Sequence, residues 1–265
     1  MRATKIESVI ANLSVLMLSA WMVACQPAPA PAPSTETGSK PSLVQPLSPD
    51  PLIAGFQQTT VASVSDAVDQ IVGQRGYMAH DMRPFVGKGF VGRAVTALVK
   101  PSSPEESTPA TAVKHPVEMI DEAKPGEVGV IVFKDGLEIA ALGGLMATAA
   151  KARGMAGMVL DGALRDIEEV ERIGLPVFAR AASPANAVGR YKSVAKNVPV
   201  ECAGVTVRPG DIIVAGVDGV VVVPREKAEQ VLQRAREIDE RESKMVPFIQ
   251  QEKSLQKAVE KFNRI

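Results

Sequence analysis

The sequence predicts an α/β domain with a mixed sheet, or two sheets that share layers with helices, ending in a C-terminal helix. Three observations point there. From about Pro51 onward, strand-like apolar runs alternate with helical patterns. The run VTVRPGDIIVAGVDGVVVVP (Val205 to Pro224) is β-branched and broken by two turn signals, Pro209-Gly210-Asp211 and Asp218-Gly219. After Arg225, the residues Ala228, Val231, Leu232, Ala235 and Ile238 fall on one face of a helix that continues into a charged tail.

Each element has its own local reason. SVSDAVDQIVG (Ser63 to Gly73) starts like a capping box, Ser63 followed by Asp66, and Ala67, Val68, Ile71 and Val72 form an apolar face. FVGRAVTALV (Phe90 to Val99) is a strand that is apolar on both faces, and SSPEESTPATA after it is a polar loop. HPVEMIDEAKPGE is a short helix closed by Pro125-Gly126, and VGVIVF (Val128 to Phe133) is a buried strand. GGLMATAAKARG begins in a glycine turn and becomes an Ala-rich helix ended by Gly154. AGMVLDG is a buried strand ending in a turn at Asp161-Gly162, followed by a helix over Ile167 to Ile173 and a second strand, PVFAR. A charged C-terminal helix reads as one packed face and one solvated face.

The chain has 265 residues, 46% of them apolar, enough for one sizeable core or two small ones. Thirty basic residues balance thirty acidic ones, and there is one Trp and two Tyr. Without a basic block or stacking aromatics, nucleic acid is excluded as the expected partner. At the N-terminus, Arg2 and Lys5 precede the apolar run Val9 to Ala24, which is shorter than the roughly 20 residues of a membrane span. Met22-Val23-Ala24-Cys25 resembles a bacterial lipobox, with Met where Leu is usual and Glu7 ahead of the run. A plain secretory signal or a single anchor helix is the alternative. The Pro-Ala stretch after Cys25 reads as an extended, solvated tether. The expected organisation is a lipoprotein-type signal peptide over 1–24, a lipidated Cys25 and linker over 25–50, and the α/β domain with its C-terminal helix over 51–265. Gln26 after the Cys suggests the outer membrane, facing the periplasm; a soluble periplasmic or inner-membrane-anchored protein is the alternative. Cys202 is then unpaired and reads as a buried small hydrophobe.

Two places suggest chemistry. Gly143-Gly144-Leu145-Met146 opens a helix, and the backbone N–H groups of a helix start can face a small carboxylate, although a glycine turn there is common. Asp166 with Glu169 fits a D-x-x-E cap for the helix Ile167 to Ile173. Yet Arg165-Asp166 also follows a buried strand, and open α/β sheets bind ligands at such carboxyl ends. An Asp there can hold Mg²⁺ or Mn²⁺, and an adjacent Arg can pair with a carboxylate or a developing oxyanion. The residues alone leave cap and site both open. His80 and His115, far apart, make no zinc site and read as structural or surface residues, His80 near the mouth of the site.

The stretch GGLMATAAKARGMAGMVLDGALRDIEEVERIGLPVFAR, followed by VRPGDIIVAGVDGVVVVP, is similar to the family named for regulator of ribonuclease activity A. That family includes the class II 4-hydroxy-4-methyl-2-oxoglutarate aldolases, which also decarboxylate oxaloacetate. The resemblance runs from roughly Thr59 to Met245 and includes VSDAV, GRAVTALV and PGEVGVIV. It implies a swivelling β/β/α sandwich assembled as trimers or hexamers with sites between subunits. It implies that Gly143, Gly144, Leu145 and Met146 present N–H groups to pyruvate, that Arg165 contacts the keto or enolate oxygen, and that Asp166 holds the metal. Glu240 or Glu242 from a neighbouring copy would assist. One departure is Gly144, where many members carry Asp or Glu thought to orient a water that handles protons. The reading that follows is a Mg²⁺- or Mn²⁺-dependent carbon–carbon lyase acting on a small 2-oxo acid, by aldol cleavage or oxaloacetate decarboxylation through one pyruvate enolate. The alternative is a non-catalytic exported binding or interaction protein on the same fold.

The lipoprotein reading has a direct test. In a Gram-negative host the full chain is expected to fractionate with membranes, and Cys25→Ser to release it or block processing. A cytosolic protein that retains residues 1–24 sinks it.

Overall fold

A computed structural model describes residues 50–263. The expected signal segment, Cys25 and the tether lie outside the described residues. Among the described residues no helix is long and apolar enough to cross a membrane.

The helices α1 (Pro51–Phe56) and α2 (Val61–Val72) come first, followed by the strands β1 (Arg83–Val86) and β2 (Phe90–Pro101). The chain then alternates: α3 (Lys114–Glu122), β3 (Val128–Phe133), β4 (Ala140–Leu142), α4 (Gly144–Ala152), β5 (Gly157–Leu164), α5 (Ile167–Ile173) and β6 (Val177–Ala182). Five short strands follow: β7 (Tyr191–Lys196), β8 (Val200–Cys202), β9 (Val205–Val207), β10 (Ile212–Gly216) and β11 (Gly219–Val223). The 25-residue α6 (Ala228–Glu252), with Pro247 inside it, and α7 (Leu255–Phe262) end the described chain.

The main sheet runs β1-β6-β5-β3-β2-β10-β11, with β4 beside β5 and β7 beside β2. Its centre, β2, β3, β5 and β6, is parallel, and β1, β7 and the β10–β11 pair join antiparallel. The two ends of the sheet approach each other. Just before β1, Tyr77 bridges Val221 on β11, the Met78 N–H donates to the Val220 carbonyl at 2.9 Å, and the Val222 N–H donates to the Gly76 carbonyl at 2.8 Å.

Alternation along the strands explains the unbroken apolar runs. In β3, Val128, Val130 and Val132 enter one core, which the β8–β9 hairpin helps to form, while Ile131 and Phe133 enter the core under α3, α4 and α5. In β10 and β11, Ile213, Ala215, Val220 and Val222 join that hairpin core. Ile212, Val214, Val221 and Val223 pack instead against α2 and α6, including Val231, Leu232, Ala235 and Ile238. Each strand is buried on both faces, so polar residues do not interrupt the pattern.

Several boundaries differ from the sequence reading. The cap of α2 is Thr60, whose Oγ1 accepts the Ser63 N–H at 3.1 Å, while the buried Ser63 hydroxyl donates to Asp239 at 2.6 Å. The Val205 to Pro224 run is not one meander, because β9 pairs with β8 in a separate two-stranded sheet and only β10–β11 is a hairpin of the main sheet. Strands β4 and β7 were not foreseen. Asp161 is not a turn residue: β5 continues to Leu164 through a register shift between Leu160 and Ala163.

That irregularity is held by charge. Arg180 Nη1 meets Asp161 Oδ1 at 2.9 Å and Nη2 meets Asp81 Oδ2 at 2.8 Å, while Asp161 Oδ2 accepts the Ala203 N–H at 2.7 Å. One guanidinium thus joins β5, β6 and the loop before β1. Its hydrogen bonds hold the Asp81 carboxyl below the usual carboxylate range. Arg180→Met is expected to cost on the order of 2 kcal/mol, because it leaves the mostly buried Asp161 without its cation. Asp81→Asn should cost about 1 kcal/mol at neutral pH. A depressed carboxyl stabilises the fold above its unfolded value of about 3.9 and stops doing so as pH falls through the folded value. The gap in urea midpoints between wild type and Asp81→Asn should therefore be full at pH 7 and shrink steadily as pH falls below about 3.9; a gap that does not shrink in acid contradicts the assignment.

Candidate functional site

Three strand ends converge. Within the sheet, β5 lies between β4 and β6, all parallel, with Leu142 opposite Leu164 and Leu164 opposite Ala182. The chain leaves these strands as Gly143, Arg165 and Ser183. The cleft beyond them, about 610 Å³, is lined by Leu164 to Glu169, Arg172 and Ala182 to Pro184. It lies where open parallel sheets present ligand sites.

Backbone and side chain together show that Asp166 does not cap its helix with its carboxylate. Asp166 holds the N-cap position of α5, but its φ of 56° is left-handed and its side chain makes no capping hydrogen bond. Instead, its Oδ2 accepts the Gly144 N–H at 3.0 Å, with Arg165 Nε 3.6 Å away. A non-glycine residue in this conformation costs roughly 1–3 kcal/mol, and such outliers concentrate at functional positions. The strain turns the carboxylate away from its own helix and across to the start of α4. Arg165 is anchored by its backbone N–H to the Leu142 carbonyl at 3.1 Å.

The expected anion cradle is correspondingly narrower. Gly144 N–H is taken by Asp166, and the first intrahelical bond of α4 runs from the Ala147 N–H to the Gly143 carbonyl. This leaves the N–H groups of Leu145 and Met146 as the ones without an intrahelical partner. Both glycines are needed for close approach. A Cβ on Gly143 would lie 2.8 Å from both Arg165 Nε and Asp166 Oδ2. A Cβ on Gly144 would overlap Glu169 Oε2 and stand 2.5 Å from Glu169 Cδ. Where the resemblance expects an acidic side chain at 144, this chain has the carboxylate of Glu169 in that space. The D-x-x-E signal was thus present in the sequence, but neither acid caps with its side chain; both turn toward α4.

Glu240 and Glu242 lie elsewhere, on α6, which packs against α1 and α2. Glu240 accepts from Lys244 Nζ at 2.6 Å, which holds its carboxyl below the usual range. One chain therefore does not bring either glutamate to Arg165 and Asp166. His80 lies in a different pocket with Tyr77, Met82 and Asp218, and His115 is tied to Ser193 at 2.9 Å. Cys202 is fully buried and its thiol is pushed up by burial, as fits a packing residue. Among the described residues no group of three His, Cys, Asp or Glu could hold a metal. A hard cation that keeps its waters needs only one or two carboxylates plus substrate oxygens. Asp166, with Oδ1 unbonded to protein among the described residues, fits Mg²⁺ or Mn²⁺ in that manner.

Residues 61–222 match the family model RraA-like, Aldolase/RraA. The chain belongs to the RraA-like family. Among its relatives is a Halalkalibacterium halodurans protein provisionally named a 4-hydroxy-4-methyl-2-oxoglutarate aldolase, 43% identical over 43% of this chain and 54% of that one. The 4-hydroxy-4-methyl-2-oxoglutarate aldolase of Thermus thermophilus is 37% identical over 36% of this chain and 60% of its own. These matches span little more than half the length of the relatives. Among solved structures, RraAS2 of Streptomyces coelicolor, an unusual member of the RNase ES inhibitor RraA protein family, superposes with a TM-score of 0.66 at 27% identity, over 74% of this chain and 96% of its own. The RraA-like match includes Gly143, Gly144 and every cleft-lining residue from Leu164 to Pro184.

Because Asp166 does not cap α5, removing its side chain should be tolerated. In Asp166→Gly, loss of the bond to Gly144, about 1 kcal/mol, is offset by relief of the left-handed backbone. Urea denaturation is expected to find the variant within about 1 kcal/mol of wild type; a much larger loss would mean that the carboxylate is a structural keystone.

Proposed function

We propose that this RraA-like protein is a divalent-metal-dependent carbon–carbon lyase that cleaves 2-oxo acids through a pyruvate enolate. The observation that carries the reading is Asp166: a strained residue whose carboxylate faces the start of α4 instead of capping its own helix. The relatives named as 4-hydroxy-4-methyl-2-oxoglutarate aldolases favour the same chemistry. A bound Mg²⁺ or Mn²⁺, held at Asp166, would act as a Lewis acid toward the substrate's oxygens. The Leu145 and Met146 N–H groups and the α4 dipole would bind the carboxylate. Arg165 would face the keto oxygen and stabilise the charge that gathers there as the bond to C3 breaks. No lysine stands among the cleft-lining residues, so no Schiff base is invoked. Glu240 or Glu242 would enter the site only from a neighbouring copy in a trimer or hexamer.

Pyruvate release from oxaloacetate and from 4-hydroxy-4-methyl-2-oxoglutarate, with Mg²⁺ or Mn²⁺ and with EDTA, tests this. Asp166→Asn and Arg165→Lys should fold normally and lose about 10²–10³ in rate, since Lys lacks the planar fork of Arg. In a ring, mixing Asp166→Asn chains with Glu240→Gln/Glu242→Gln chains should restore part of the activity. A wild type silent on both substrates would instead favour a binding protein on this fold.

A further inference from the structure

The reaction proposed above needs a group that moves a proton at C3 of the substrate, and neither Arg165 nor Asp166 is suited to it. Arg165 stays protonated, and Asp166 Oδ2 is committed to the Gly144 N–H. We infer that Glu169 is the proton-transfer residue of this cleft, working from the space that a side chain at position 144 would otherwise fill.

The geometry behind this is specific. Glu169 lies in the first turn of α5, and its backbone N–H donates to the Asp166 carbonyl at 3.0 Å, which fixes its place relative to Asp166. Its side chain leaves its own helix and crosses to α4. There its carboxylate lies against the Gly144 backbone so closely that a Cβ on that glycine would overlap Oε2 and stand 3.0 Å from Oε1. Among the described residues this carboxylate has no hydrogen bond or ion pair, and it is exposed in the cleft. The next N–H groups along α4 are those of Leu145 and Met146, left unpaired by the helix. A 2-oxo acid whose carboxylate was held by those N–H groups would have its C3, two bonds further on, near this carboxylate. Glu168, its neighbour in the cleft lining, makes no such approach to Gly144.

The proton balance closes with Glu169 alone. In decarboxylation of oxaloacetate, the C3–C4 bond breaks, CO₂ leaves and the electron pair becomes the enolate. Protonated Glu169 then donates its proton to C3, giving pyruvate, and takes another from water. In aldol cleavage, Glu169 as carboxylate removes the C4 hydroxyl proton while the C3–C4 bond breaks. The first pyruvate leaves with a new carbonyl, and Glu169 returns the same proton to C3 of the second. Neither sequence needs an oxidant or a further reactant.

This role rests on the lyase reading, so the test separates the two. With the full chain in D₂O and Mg²⁺, exchange of the pyruvate methyl protons, followed by NMR, reports proton transfer at C3 without any bond cleavage. Glu169→Gln is expected to slow both this exchange and pyruvate release from oxaloacetate by about 10²-fold, the lower bound for losing a general acid–base. Glu171→Gln, on the same helix but outside the cleft lining, should stay near wild type, and the pyruvate Kd of Glu169→Gln, measured by calorimetry, should change by less than about threefold. In Glu169→Ala, adding Gly144→Asp puts a carboxylate back into the same space from α4, and should recover at least about tenfold of the exchange. A glutamate that merely sits at a helix end would show neither the exchange defect nor the rescue. A wild type that neither exchanges nor cleaves overturns the lyase reading and this role with it. An active wild type with an unimpaired Glu169→Gln overturns the role alone.

Discussion

The hydrogen bond from the Gly144 N–H to Asp166 Oδ2 is the contact on which the cleft depends. It joins the starts of two helices that leave adjacent parallel strands. It forms only because Asp166 accepts a left-handed backbone and Gly143 offers no side chain in its path. With that bond in place, Arg165, Asp166 and Glu169 are presented to one volume. Their placement comes from the sheet beneath: β5 runs on past its register shift to Leu164, so its end draws level with those of β4 and β6. Had β5 stopped at Asp161, as its Asp-Gly pair suggests, Arg165 and Asp166 would have hung in a loop.

Much of the fold was legible in the residues. The strand VGVIVF and the helix Ile167 to Ile173 fall where apolar periodicity puts them, and the apolar face of the last long helix is buried residue for residue. What could not be read depends on distant partners. Ser63 looks like a cap by spacing, but Asp239 on α6 claims its hydroxyl and Thr60 takes over. Asp161-Gly162 looks like a turn because nothing local announces that Arg180 and the Ala203 N–H will hold Asp161 inside a strand. β4 is three residues long and exists only because β5 extends beside it.

The site was half legible. Arg165, Asp166 and the glycine pair were marked by motif, and the structure brings them together. The D-x-x-E spacing gives the same pattern whether the two acids cap their own helix or reach for another, so the part Glu169 plays was invisible until the α4 start lay beside it. Glu240 and Glu242 pose the opposite case. Their helix covers the β10–β11 side of the sheet, and only the geometry of an assembly could carry them to the cleft of another copy.

The segment over residues 76–78 has a consequence for how copies of this protein meet. By bonding to Val220 and Val222 it occupies the outer rim of β11. The opposite rim, β1, is four residues long and carries Pro84, which has no N–H to offer. These two margins therefore offer little template onto which a strand from another molecule could zip, whereas β4 and β7, each paired with one strand, and the β8–β9 pair have margins of their own. At those two margins the chain is in this way protected from the edge-to-edge stacking that starts fibrils.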